Sequence, residues 1–67
     1  MLVSVIIPYF NDELNINKSV LSALNQTYKN IEIIIVDDEN TKNSIDVLKK
    51  FLKEKNIKII RNKKNSG

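Results

Sequence analysis

Residues 25–38, which read NQTYKNIEIIIVDD, constrain the fold of this chain more than any other stretch. The apolar run from Ile33 to Val36 leaves no position for a solvated face, and two carboxylates, Asp37 and Asp38, end it. Such a strand is typical of a parallel sheet that helices cover on both sides. Ligands of these sheets bind beyond the carboxyl ends of the strands, so a small-molecule site is expected near the two aspartates.

The rest of the chain alternates between strands and helices. Residues 2–7 form a β-branched run that Pro8 is expected to end, and residues 31–37 and 58–61 give a second and a third strand. A helix capped by Asn15 and a second helix over residues 44–54 lie between the strands. The predicted buried stripes are Ile16, Val20, Ala23 and Leu24 in the first helix and Ile45, Leu48, Phe51 and Leu52 in the second.

This β-α-β-α-β order predicts an α/β fold, with a three-stranded parallel sheet, flanking helices and right-handed crossovers. A chain of 67 residues has a marginal core, and it has no cysteine to form a disulfide or a thiolate zinc site. It has no histidine either, so a structural metal site would need carboxylates alone. The outer strand edges would be unpaired, so we expect a part of a larger protein or a chain that pairs with another copy.

The net charge of +3 comes mostly from Lys58, Arg61, Lys63 and Lys64 near the carboxyl end. These residues are typical either of a phosphate or nucleic-acid patch or of a solvated lysine-rich face. We favour the solvated face and expect no nucleic-acid partner, because few aromatic side chains are available to stack on bases. No apolar run approaches the roughly 20 residues of a membrane span, and the amino end lacks the basic start of a signal peptide.

The loop after the first strand excludes two common nucleotide motifs. It reads PYFND where a dinucleotide-binding or Walker A loop needs glycines, which disfavours a dehydrogenase or a P-loop ATPase. An exposed Tyr9 or Phe10 would instead stack on a nucleobase while Asn11 bonds to the base edge. Alternatively, Phe10 packs under the first helix and Asn11 makes a turn, and spacing alone favours this second interpretation.

The two aspartates pose a similar choice. Successive side chains of a strand point to opposite faces, so Asp37 and Asp38 are not expected to form one paired site. One would accept a hydrogen bond from a ligand while the other caps the second helix through a backbone N–H. General acid–base work by the pair is disfavoured because it needs both groups at one atom. The sequence leaves open which aspartate has which role.

Three segments carry a family resemblance: VSVIIPYFN (residues 3–11), LNQTYKNIEIIIVDD (residues 24–38) and the terminal NSG. In order and spacing they resemble the amino-terminal part of family 2 glycosyltransferases, which are inverting enzymes of the GT-A fold. The resemblance implies the nucleotide-binding part of a Rossmann-like domain. It also implies a nucleotide-diphospho-sugar donor, most readily a UDP-sugar, and a parent protein that builds a surface polysaccharide.

The resemblance also assigns roles to individual residues. Pro8 and Phe10 match the loop that holds the nucleobase, with Phe10 at the position of a stacking tyrosine. Asn11 and Glu13 match the polar residues that close this loop. Asp38 matches the aspartate that accepts a hydrogen bond from the base, typically the N3–H of uracil, and Asp37 is expected to orient the turn. A carboxylate suits uracil or guanine better than adenine, which offers only an amino group.

The chain departs from the family pattern at three places. Phe10 lacks the hydroxyl of the usual tyrosine. Glu39 stands where the family has glycine or a small residue, and a positive φ there would be costly for a glutamate. Members of the family also continue beyond the NSG with the D-x-D metal ligands, the acceptor site and the catalytic base. We assign no catalytic residue and no metal ligand here.

These departures define the expectation for residues 1–67. They form a partial GT-A domain that binds a nucleotide but is inactive alone, while the full-length parent uses Mg²⁺ or Mn²⁺. The parent is expected in the cytoplasm or at the inner face of the membrane. The alternative is a non-catalytic small α/β module that forms a homodimer through its open sheet edge.

Overall fold

A computed structural model of the chain describes residues 2–26 and 30–62. Its elements, in chain order, are β1 (Val3–Tyr9), α1 (Glu13–Leu24), β2 (Ile31–Asp37), α2 (Lys42–Leu48), a 3-10 helix (Lys49–Lys53) and β3 (Ile57–Arg61). β2 lies between β1 and β3, and both pairings are parallel. The predicted α/β fold is therefore confirmed, whereas Lys63, Lys64 and the terminal NSG lie outside the described residues.

Both α-helices pack on the same face of this sheet. Strands in the sequential order β1-β2-β3 with right-handed crossovers bring both connections to one side. The core on this face consists of buried side chains from the strands and both α-helices: Tyr9, Ile16, Val20, Ala23, Ile33, Ile35, Leu48 and Ile57. Burial of these apolar groups is the main stabilising contribution to so small a unit.

The opposite face of the sheet differs from the expectation of cover on both sides. Ile34 and Val36 are half-buried there, and their neighbours Ile6 and Ile60 are 65% and 51% exposed. No helix of the described residues packs on this face, because both crossovers lie on the other one. At its amino end the face is polar, since Glu32 accepts a hydrogen bond from Ser4 and forms an ion pair with Lys58 at 2.9 Å.

The sequence predicted that Pro8 ends the first strand, but β1 continues to Tyr9. The N–H of Val3 donates to the carbonyl of Asn30 at 2.8 Å, on the β2 side. Backbone direction alternates along a strand, so the nitrogen of Pro8 faces away from β2, at an edge where a proline costs no ladder hydrogen bond. Among the described strands β1 is an edge, which explains why the proline is tolerated.

The first helix begins at Glu13 rather than after Asn15. Asp12 is its N-cap, and its carboxylate accepts hydrogen bonds from the backbone N–H of Asn15 at 3.3 Å and from the Asn15 amide. The predicted cap is thus wrong by three positions, because aspartate and asparagine are equally good caps by residue type. Ile16, Val20 and Ala23 are buried as predicted, whereas Leu24 is 37% exposed at the end of the stripe.

The second helix is shorter than predicted. It begins at Lys42, with Thr41 as N-cap and Ser44 completing a capping box, and changes to a 3-10 helix at Lys49. Its inward positions are Ser44, Val47, Leu48 and Phe51, whereas the predicted core residues Ile45 and Leu52 are 43% and 61% exposed. Among the described residues no helix is long and apolar enough to cross a membrane.

Candidate functional site

The carboxyl ends of the three strands form one edge with two rows of side chains. The inner row consists of the last strand residues, which lie in register: Tyr9, Asp37 and Arg61. The outer row consists of the residues that directly follow them: Phe10, Asp38 and Asn62. The inner row points toward the helix-covered face, and the outer row is exposed. This alternation confirms that the two aspartates do not form a paired site.

Asp37 is fully buried and holds the turn that follows β2. One carboxylate oxygen accepts the backbone N–H groups of Glu39 and Asn40 at 3.1 and 2.9 Å, and the other accepts the Ser44 hydroxyl at 2.7 Å. Asp37 thus reaches the second helix through Ser44 rather than through a helical N–H, and Thr41 is the cap. Its part in the predicted site is to fix the turn, and its burial does not favour direct contact with a nucleotide.

Arg61 adds a charge to the inner row. Its Nε lies 3.5 Å from a carboxylate oxygen of Asp37, too far for a good hydrogen bond, and this buried nitrogen has no other partner among the described residues. The two opposite charges attract each other across this distance, beneath the loop that follows β2. From the sequence, Arg61 was expected to end the third strand and to lie on a solvated lysine-rich face, whereas the structure places it beneath the candidate site.

Asp38 is exposed, in contrast to its neighbour. Its backbone N–H donates to the carbonyl of Tyr9 at 3.0 Å, which ties the β2–α2 loop to the end of β1. The side-chain amide of Asn62 donates to one of its carboxylate oxygens. The second oxygen has no hydrogen-bond donor among the described residues, so this carboxylate retains an acceptor for a ligand.

Phe10 is also exposed, with 64% of its surface accessible. The interpretation in which Phe10 packs under the first helix is therefore wrong, and the side chain that fills the core at this point is Tyr9. Pro8 is exposed too, on the helix-free side of β1. Asn11 has a φ of 48°, a left-handed conformation that asparagine tolerates better than most residues, so it does make the predicted turn.

Glu39 joins the two loops, a role that the sequence analysis missed. One of its carboxylate oxygens accepts the backbone N–H of Asn11 at 2.9 Å, and the other accepts the Thr41 hydroxyl at 2.6 Å. The positive φ in this turn belongs to Asn40, at 49°, and not to Glu39. The glutamate therefore avoids the backbone penalty that was expected, because an asparagine takes the left-handed position.

Two ionisable groups border this edge on the α1 side. Burial raises the pKa of the Tyr9 phenol, and the carboxylates of Glu39, Glu13 and Asp37 raise it further. Glu13 begins α1 and lies 3.9 Å from the ammonium group of Lys50 in an exposed ion pair. The structure therefore places Glu13 close to Tyr9 and to the first turn of the 3-10 helix.

A small cavity of about 230 Å³ adjoins Phe10 on the α1 side. Its lining includes Pro8, Phe10 and Asp12 but not Asp38. A larger apolar groove of about 460 Å³ runs between the edge of β1 and α1, and no predicted site residue lines it. The cavity beside Phe10 therefore adjoins the candidate site, whereas the larger groove is separate from it.

The residues at this edge do not fit a divalent cation. The described residues contain no group of three or more His, Cys, Asp or Glu side chains that could hold a metal ion. Both oxygens of Asp37 are already used by protein donors, and Asp38 faces away from it. We therefore derive no step through a metal ion from this chain.

Sequence comparisons identify one family. The family model described as Glycosyl transferase family 2 matches residues 4–67. A glycosyltransferase of Haemophilus influenzae with no established role is 40% identical over 67 residues, which cover 98% of this chain and 27% of the relative. A second such protein from the same organism is 46% identical and covers 98% of this chain and 21% of the relative.

A third relative has a specific activity in its name. It is a UDP-Glc:alpha-D-GlcNAc-diphosphoundecaprenol beta-1,3-glucosyltransferase of Escherichia coli, 49% identical over 61 residues, which cover 91% of this chain and 24% of the relative. Measured on these three relatives, the chain spans about a quarter of their length.

Proposed function

This chain belongs to glycosyl transferase family 2, and on that premise we propose that it binds the nucleotide of a nucleotide-diphospho-sugar donor, with UDP-sugars preferred. The observation that carries the proposal is the exposed outer row of the sheet edge. Phe10 and Asp38 stand there on two loops that are hydrogen-bonded to each other. A stacking ring and a carboxylate with a free acceptor are the two groups that recognition of a uracil requires.

The chemistry of each residue supports this assignment. The 64% exposed ring of Phe10 offers a flat apolar surface, and stacking of a base on such a ring contributes about 1–3 kcal/mol. The Asp38 carboxylate accepts but does not donate, so it suits bases that present a ring N–H, such as uracil and guanine. Adenine has no ring N–H to offer, so adenine nucleotides are expected to bind more weakly.

The relatives support a proposal for the donor nucleotide and for the role of the whole protein. The name of the Escherichia coli relative includes UDP-Glc, which supports a uridine nucleotide for this chain. We propose that the parent protein transfers a sugar during polysaccharide synthesis, in the cytoplasm or at the inner face of the membrane. We also propose that residues 1–67 bind the donor without transferring it, because the described residues bring together no group of carboxylates that could hold the divalent cation expected in the parent.

The test is a titration of the chain with UDP, in which amide NMR and calorimetry measure binding. We expect resonance shifts around Phe10 and Asp38, and affinity for UDP above that for ADP. Asp38→Ala and Phe10→Ala should each weaken binding roughly tenfold, the effect of one charge-assisted hydrogen bond or one stacking contact.

Two variants provide matched controls for this experiment. Leu52→Ala removes another exposed apolar side chain, and Asp46→Ala removes another exposed carboxylate, and neither residue belongs to the outer row. Both controls should bind UDP like the unaltered chain. Unchanged affinity in both Asp38→Ala and Phe10→Ala would show that the assigned site is wrong.

A second candidate function is self-association. The helix-free face exposes Ile6 and Ile60, and β1 and β3 are edges of the described sheet. A homodimer formed there predicts a sedimentation coefficient that rises with protein concentration and falls in Ile6→Lys. A monomer at millimolar concentration would exclude this function, and it leaves nucleotide binding untouched.

A further inference from the structure

The peptide groups on both sides of Phe10 are bonded to the loop that carries Asp38. The carbonyl of Tyr9, before Phe10, accepts the N–H of Asp38 at 3.0 Å. The N–H of Asn11, after Phe10, donates to the Glu39 carboxylate at 2.9 Å. Hydrogen bonds to two consecutive residues of the neighbouring loop therefore flank Phe10. These two bonds fix the backbone of Phe10 relative to Asp38.

Glu39 is itself held in place for this contact. Its second carboxylate oxygen accepts the hydroxyl of Thr41 at 2.6 Å, and Thr41 is anchored as the N-cap of α2. The Glu39 backbone N–H is bound by the buried carboxylate of Asp37. A chain of hydrogen bonds therefore runs from the buried inner row through Glu39 to the exposed loop of Phe10.

The backbone of Asn11 needs such support. Its φ of 48° lies in the left-handed region, which is less favourable for a residue with a side chain than the right-handed or extended regions. A carboxylate that accepts the N–H of Asn11 stabilises this conformation over the extended alternatives. Without it, the loop and the ring of Phe10 would sample more orientations, and binding would have to restrict them.

We propose that Glu39 is a positioning residue for the nucleotide site. It does not touch the base; it holds the stacking ring of Phe10 at a fixed place relative to the acceptor of Asp38. This inference rests on the proposed function, since it concerns the same site. It also explains how a glutamate is accommodated next to a site for an anionic ligand, because both of its oxygens are used by protein donors.

A purely electrostatic role for Glu39 predicts the opposite sign. A carboxylate near the diphosphate would repel it, so removing the charge would tighten UDP binding and leave uridine, which has no phosphate, unaffected. A positioning role predicts that removing the Glu39 side chain weakens the binding of UDP and of uridine by the same factor. The comparison of UDP with uridine therefore separates the two roles.

The experiment measures Glu39→Ala and Glu39→Gln against the unaltered chain, with Asp46→Asn as a charge-matched control on the exposed side of α2. Hydrogen exchange of the Asn11 amide, recorded by NMR without ligand, reports the loop contact directly. Calorimetry with uridine and with UDP reports the site. Circular dichroism checks that each variant is folded.

For Glu39→Ala we expect Asn11 exchange about tenfold faster and both affinities about five- to tenfold lower, as for the loss of one charge-assisted hydrogen bond. For Glu39→Gln we expect exchange rates and affinities between those of the unaltered chain and Glu39→Ala. The glutamine amide has only one acceptor oxygen for the two donors, the Asn11 N–H and the Thr41 hydroxyl. Asp46→Asn should match the unaltered chain in every measurement. Because Gln is nearly isosteric, it keeps the test decisive if the alanine variant unfolds.

Three results would overturn the inference in different ways. Tighter UDP binding with unchanged uridine binding would assign Glu39 an electrostatic role instead. Normal ligand binding by Glu39→Ala and Glu39→Gln would show that the loop contact does not position the site. Failure of the unaltered chain to bind either ligand would remove the proposed function itself, while the Asn11 exchange rates would still show whether the loops are coupled.

Discussion

The inner and outer rows of the sheet edge lie one residue apart along each strand, yet their environments are opposite. Tyr9 and Asp37 of the inner row are 2% and 0% exposed, whereas Phe10 of the outer row is 64% exposed. Both oxygens of Asp37 accept hydrogen bonds, from Glu39, Asn40 and Ser44, while Asp38 keeps one oxygen free of donors among the described residues.

This difference shows how a strand end separates structure from function. Because side chains alternate between faces, consecutive residues of the same type can take up separate tasks without competing for the same space. In the inner row the carboxylate of Asp37 holds the turn that follows β2, whereas the side chains of the outer row are exposed to solvent. The stability of the edge should therefore depend on the inner row, and ligand affinity on the outer row.

The largest expected effect tests the structural half of this comparison. Asp37→Ala removes three accepted hydrogen bonds and leaves Arg61 without its buried counter-charge, so we expect a loss of about 3 kcal/mol or more in the free energy of unfolding. A unit of this size has little more than that in total. Far-UV circular dichroism under increasing urea would show an unfolded or nearly unfolded chain.

Asp38→Ala is the matched control for Asp37→Ala, since it removes the same side chain one residue later. We expect its free energy of unfolding to fall by no more than about 0.5 kcal/mol, as is usual for an exposed position. If the two variants were equally destabilised, the division between the rows would be wrong.

A pH-dependent effect of intermediate size concerns Tyr9. Burial, helped by nearby carboxylates, raises the pKa of its phenol, so the folded chain favours the neutral form. The resulting stability is fully present below the pKa of an unfolded tyrosine, about 10, and is lost as the pH rises through the folded pKa. The loss cannot exceed about 1.4 kcal/mol per pH unit for a single proton.

The measurement is the free energy of unfolding between neutral pH and about pH 11, compared with that of Tyr9→Phe, which has no proton to lose. Lysines also titrate in this range, so the difference between the two curves is the relevant quantity. Curves that stay parallel above pH 10 would mean that the Tyr9 phenol is not held in its neutral form.

Much of this architecture was predictable from residue pattern. The bounds of β2 were exact, because an unbroken apolar run that ends in two aspartates permits only one interpretation. The helix starts were wrong because a start depends on which of several similar polar residues caps it. Asp12 rather than Asn15 caps the first helix, and the second helix, predicted from Ser44, begins at Lys42 after the cap Thr41. The T-x-x-S spacing of Thr41 and Ser44 is a signal that would have located the second start.

The position of the site at the carboxyl edge of the sheet was predictable, but the contacts between its residues were not. Alternation of side chains along β2 predicts that Asp37 and Asp38 point to opposite faces. The exposure of Phe10 was not predictable, because an aromatic residue after a strand is equally suited to a core, and only the burial of Tyr9 decides between them. The contact of Glu39 with Asn11 joins residues 28 positions apart, which no local spacing indicates.

The smallest predicted effect concerns Asn62, the third member of the outer row. Its side-chain amide donates to one oxygen of Asp38, so it orients the carboxylate without contacting the helix-covered core. In Asn62→Ala we expect UDP affinity to fall about two- to threefold, and the free energy of unfolding to stay within about 0.5 kcal/mol. Titration calorimetry and urea unfolding, with Asp38→Ala and the double variant in a cycle, would measure both.

Because Asn62 acts only through Asp38, its substitution should have no further effect once Asp38 is alanine. An effect of equal size in both backgrounds would place Asn62 in direct contact with the ligand.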